Sequence, residues 1–176
     1  RRQRQMCIRD RHPDLLSIPI KKFQWLDEQG LPGVRAYRCR REVFKAQRTV
    51  LVTYNENLFV AQSRTLLREI AKRQGLLRNL QHQLRRHRQG KVRVGSQPTL
   101  EGVSKKVKSW LKARHMKELF QVHITESEGL PALNYRFDNQ AWQRLQKTLL
   151  GKTILFTDND EWTDVCLLYT SPSPRD

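Results

Sequence analysis

Between Arg85 and Arg114 the chain carries ten cations: Arg85, Arg86, Arg88, Lys91, Arg93, Lys105, Lys106, Lys108, Lys112 and Arg114. Glu101 alone opposes them in that stretch. Such a cluster suits phosphates, because each contact releases condensed counterions and makes affinity fall steeply with salt. Charge alone reads no base sequence. A second cationic stretch holds Arg35, Arg38, Arg40 and Arg41. The acidic counterpart is Asp158, Asp160, Glu161 and Asp164, just after an apolar run ending at Thr157. Carboxylates at a strand end can hold Mg²⁺ for two-metal phosphoryl transfer. D-N-D-E after a strand is also ordinary turn and cap chemistry, and the spacing favours that use. No metal ligand is therefore assigned.

Other chemistries lack their motifs. His12, His82, His87, His115 and His123 show neither H-E-x-x-H nor zinc-type spacing. Ser63, Ser104 and Ser109 lack a nucleophile-elbow context, and there is no Walker loop or G-x-G-x-x-G. Cys39 is the one cysteine away from the chain ends, too few for a disulfide framework or a four-cysteine zinc site. It reads as a small half-buried strand residue, in keeping with a cytoplasmic compartment.

The elements that must position these residues can be read from periodicity. His12–Gly33, broken by Pro13, Pro19 and Pro32, reads as an extended or loop-like lead-in with short strands. Val34–Tyr54 reads as an antiparallel hairpin turning at Lys45-Ala46-Gln47, buried on one face and cationic on the other. Asn57–Arg88 has Leu66, Ile70, Leu77, Leu80 and Leu84 along one helical stripe, capped by Asn55 or Asn57. Gly75 inside it costs roughly 1 kcal/mol relative to Ala and permits a bend.

Gln89–Gln97 reads as a linker. Thr99–Arg114 reads as a second helix, burying Leu100, Val103, Val107, Trp110 and Leu111 and turning Lys105, Lys108, Ser109 and Lys112 outward. Then follow a strand at Leu119–Thr125, a turn at Glu126–Gly129 and a strand at Pro131–Phe137. A helix capped by Asp138 runs to about Leu149 with Trp142, Leu145 and Leu149 inward; Gly151 stops it, and Lys152–Thr157 is a buried strand. The order implies an α/β to α+β fold.

The two ends read differently. Back-translated with suitable codons, Arg1–Arg11 and Cys166–Asp176 contain reverse-complementary DNA and resemble translated sequencing-library adapters. The expectation is three segments: an adapter-like tail at 1–11, a natural insert at 12–165 and an adapter-like tail at 166–176, both tails disordered. The chain has a net charge of +17, of which the insert holds +13. A domain this cationic repels itself without an anionic partner. Nucleic acid leads; a membrane surface is second, and no apolar run nears the roughly 20 residues of a span.

HPDLLSIP (His12–Pro19), the stretch Val34–Ile70 and GKTILFTDNDEWTD (Gly151–Asp164) together resemble bacterial insertion-sequence transposases of the DDE type. The resemblance is to the branch whose ribonuclease H-like core is interrupted by a long insertion. It implies two Asp and one Glu around Mg²⁺ or Mn²⁺, all three outside this chain, so no catalytic residue is assigned within it. It implies an internal fragment: a β-hairpin and long-helix insertion region plus the strand returning to the core. The partner implied is double-stranded DNA at transposon ends, engaged by a homodimer in the synaptic complex. The location implied is the bacterial cytoplasm, at the nucleoid. Arg35, Arg38, Arg40, Arg41, Arg85, Arg86, Arg88, Lys105, Lys108 and Lys112 are the candidates for DNA contact. The rival reading is a standalone basic nucleic-acid-binding module without catalysis.

Overall fold

The β-branched run Thr49–Tyr54 lies in the central part of a four-stranded antiparallel sheet. The computed structural model describes residues 12–92, 97–127 and 129–170. Among the described residues two compact units emerge, one of 12–64 with 145–170 and one within 65–144. The paired strands are all antiparallel among the described residues, so the fold is α+β rather than α/β.

In the first unit the sheet order is β1 (Gln24–Trp25), β2 (Val34–Val43), β3 (Ala46–Asn55) and β6 (Lys152–Thr157). β2 and β3 pair from Val34↔Asn55 to Val43↔Ala46. The turn is therefore Phe44-Lys45, earlier than the Lys45–Gln47 expected. Both residues have positive φ, 53° and 62°, the handedness that lets a two-residue turn match the strand twist.

The hairpin is buried on both faces, not one. Val50, Val52 and Ile154 pack with Leu15, Leu16 and Phe23 on one face. Leu51, Leu155, Val34 and Ala36 pack with Leu26 and Leu167 on the other. Two covering segments had not been expected. α1 (Pro13–Ser17) is a short helix in the segment whose prolines suggest a loop; Pro13 at its first position loses no helical hydrogen bond. α6 (Asp164–Thr170) includes Cys166–Thr170, expected to be a disordered tail. The remainder of that tail, and Arg1–Arg11, lie outside the described residues. Leu167 drives the ordering, since an apolar side chain facing an open sheet face is buried whatever the origin of its codon. Leu167→Ala is expected to cost about 2 kcal/mol in urea unfolding, the low end for a buried leucine. An unchanged midpoint would return 166–170 to the status of a passive tail.

Lys152 is the largest fully buried side chain of the unit, 1% exposed. Its Nζ donates to the carbonyls of Leu16 and, at 3.0 Å, Ile18, and stands 5.8 Å from the Phe23 ring centroid. It thus tethers the last turn of α1 and the residue after it to β6. Burial holds its pKa below the ordinary 10.5. The unfolded chain then binds the proton more tightly, so stability rises as pH climbs toward 10.5 and falls on the way back. Lys152→Met is expected to lose that alkaline rise, read by urea unfolding from neutral pH to pH 10. A variant whose curve parallels the parent's would refute it.

The second unit is built on α2 (Glu56–Arg88), which begins in the first unit and buries Ile70, Leu77, Leu80 and Leu84. Asn55 Oδ1 caps its start, accepting from the Leu58 N–H at 3.0 Å. It runs through Gly75 as one helix, while Leu66 is only half-buried. α3 (Leu100–Trp110) is capped by Thr99 and buries Val103 and Val107; Leu100 is exposed. It stops short of the expected Arg114, and Arg73 Nε donates to the Trp110 carbonyl at 2.8 Å.

α4 (Met116–Leu119) leads into β4 (Phe120–Ser127), which pairs with β5 (Leu130–Phe137). Ser127↔Leu130 leaves a two-residue turn with Gly129 at φ 74°. Gln81 Nε2 donates to the Leu133 carbonyl at 2.9 Å, joining α2 to β5. Asp138 caps α5 (Asn139–Thr148) as expected, accepting from the Ala141 N–H at 2.9 Å. That bond first, then those from Gln140 and Gln121 and the charge of Arg144, hold its carboxyl below the usual range.

Candidate nucleic-acid interface

The four arginines of β2 do not form one cationic face. Side chains alternate along a strand, so Arg38 and Arg40 point to one side and Arg35 and Arg41 to the other. Each meets a carboxylate. Arg35 pairs with Glu56 at 3.1 Å and lies 3.6 Å from the Trp25 ring centroid. Arg38 pairs with Asp164 at 3.0 Å and donates to the carbonyls of Trp162 and Asp160, at 2.7 and 2.8 Å. Arg40 pairs with Asp160 at 2.9 Å, and Arg41 with Asp14 at 3.0 Å.

Three of the cluster's four acids meet arginines, while Glu161 is exposed. Asp158 pairs with Arg48, a partner the sequence reading missed, and Asp160 also accepts from the Thr49 hydroxyl. Register explains the meeting: β3 lies between β2 and β6, so the loop after β6 passes the arginine-bearing strands. No group of three or more His, Cys, Asp or Glu among the described residues is placed to hold a metal. Cys39 is half-buried on β2, and burial raises its thiol pKa, so it is a poor nucleophile at neutral pH.

The second unit carries the uncompensated charge. Residues 65–144 hold 17 Lys and Arg against six Asp and Glu, a net +11. Residues 12–64 and 145–165 together hold +2. Lys105 and Lys108 are exposed on α3, on the side away from buried Val103 and Val107, and Lys112 is exposed just beyond it. Arg85, Arg86 and Arg88 are exposed in the last turn of α2. Arg73–Glu69 at 3.0 Å and His115–Glu118 at 3.9 Å are ion pairs of this unit, and neither involves those six cations. Arg93 lies outside the described residues.

Arg85 and Arg88, one turn apart, line an open groove of about 550 Å³ with Gln89, Ser127 and Leu130. Ser127 and Leu130 face each other at the tip of the β4–β5 hairpin, some forty residues along the chain, and no spacing signal announces their arrival there. In the first unit Phe44, Phe156, Arg48 and Asp158 line a smaller space of about 360 Å³.

No family model matches the chain, and no curated protein or solved structure matches it. No helix of the described residues is long and apolar enough to cross a membrane.

Proposed function

We propose that the chain is part of a bacterial DDE-type insertion-sequence transposase and that residues 65–144 contact transposon-end duplex DNA. One observation carries the nucleic-acid contact: net charge is segregated, +11 in an 80-residue unit against +2 in the remainder of 12–165. Self-repulsion at that density is relieved by a polyanion. The resemblance of His12–Pro19, Val34–Ile70 and Gly151–Asp164 supplies the enzyme class. In this reading β6 returns to a ribonuclease H-like core, and α2 with the β4–β5 hairpin belongs to its insertion. The full enzyme acts as a homodimer in the bacterial cytoplasm, at the nucleoid.

Mg²⁺ or Mn²⁺ would serve the full enzyme. The carboxylates described do not fit such an ion: Asp158, Asp160 and Asp164 face guanidinium groups of Arg48, Arg40 and Arg38, which would repel it. No step of DNA cleavage is assigned to them, and the interface positions DNA by charge.

The test is binding of duplex DNA by the full chain, followed by fluorescence anisotropy across a salt series. Affinity is expected to fall linearly on logarithmic axes, with a slope near −0.9 per phosphate contacted. Salt-independent binding, or none, would reject the reading. A longer reading frame bounded by inverted repeats in the flanking DNA separates a transposase from a standalone binding module.

A further inference from the structure

We infer that the groove between the last turn of α2 and the tip of the β4–β5 hairpin is a discrete seat for one backbone phosphate of duplex DNA. The inference rests on the proposed DNA contact and specifies one site within it. Arg85 and Arg88 stand three residues apart on one helix, a separation that puts both guanidiniums on one side. Gln89 adds an amide and Ser127 a hydroxyl, both able to donate to phosphate oxygens.

Among the described lining residues Arg85, Arg88, Gln89 and Ser127 are polar, which suits an anion rather than an apolar ligand. The groove is open, with a volume of about 550 Å³, so a phosphate can enter it while its strand continues on either side. The carboxyl end of a helix carries roughly half a negative charge, and two guanidiniums outweigh it. Glu126, beside Ser127, points to the opposite face of β4 by strand alternation. Glu128 lies outside the described residues.

A shared seat differs from a diffuse basic patch in what it releases. Two arginines on one phosphate account for one neutralised phosphate, whereas two independent contacts account for two. The double variant Arg85→Gln/Arg88→Gln is therefore expected to lower the salt slope of duplex binding by about 0.9. A fall of about 1.8, or an unchanged slope, would overturn the seat. Both residues are exposed, so the circular dichroism spectrum is expected to match the parent's.

A second measurement separates this idea from the reading beneath it. Titrating the full chain with inorganic phosphate, against chloride at equal ionic strength, is expected to shift the Nε–H resonances of both arginines. If neither moves, the seat is wrong however well DNA binds. If both move and the chain binds no duplex, the anion seat stands and the DNA reading falls.

Discussion

Gly151→Ala is expected to destabilise the protein by about 2 to 5 kcal/mol, read as a fall in the urea midpoint. Two costs add. Gly151 has φ 73°, where a side chain meets its own carbonyl and costs roughly 1–2 kcal/mol. A Cβ there would lie 2.8 Å from Phe59 Cβ, 2.9 Å from Tyr54 Cε2 and 3.0 Å from the Asn55 carbonyl oxygen. Forced overlap in a packed site costs about 1–3 kcal/mol more. The backbone cannot slide away, because it is held on both sides. The Gly151 N–H donates to Gln62 Oε1 at 2.9 Å, and its carbonyl accepts from the Asn55 N–H at 2.9 Å. One residue thus ends α5, starts β6 and meets the start of α2. Gly129→Ala is the control: it shares the positive φ, at 74°, but a Cβ there meets nothing within 4 Å. Equal losses at the two positions would refute the close-approach argument.

The largest effect on binding is expected from removing the open cations of the second unit. Changing Arg85, Arg86, Arg88, Lys105, Lys108 and Lys112 together to Gln is expected to lower the salt slope by about 4.5. That counts one phosphate shared by Arg85 and Arg88 and one for each of the other four. The matched change of Arg35, Arg38, Arg40 and Arg41 is expected to move the slope by less than about 1, since each already faces a carboxylate. The second set should instead lower stability. Arg38 alone makes three contacts with the 160–164 segment, and exposed pairs contribute up to about 1 kcal/mol each. Exchange of the two outcomes would place the interface on the hairpin and reject residues 65–144.

Much of the scaffold was legible because local rules and tertiary packing agree. The Asp138 cap, the Gly151 stop, the Ile70–Leu84 stripe and the Lys152–Thr157 strand all follow from spacing and from where backbone groups need partners. The misread pieces are those whose state depends on a distant neighbour. Pro13–Ser17 is a helix in contact with the sheet, and Leu167 is ordered by an open sheet face.

By itself, then, the sequence determined most of the strands and helices, several of their caps and stops, and an excess of positive charge. These are properties of residues close together along the chain. Only the tertiary structure decided where that charge remains available. Arg35, Arg38, Arg40 and Arg41 looked as cationic as Arg85 and Lys105. The register of β2, β3 and β6 brings Asp158, Asp160 and Asp164 to the hairpin's arginines, and no described residue does the same for the end of α2. Coulomb attraction acts through space, so a chain position more than a hundred residues away can silence a charge that its own neighbours leave free.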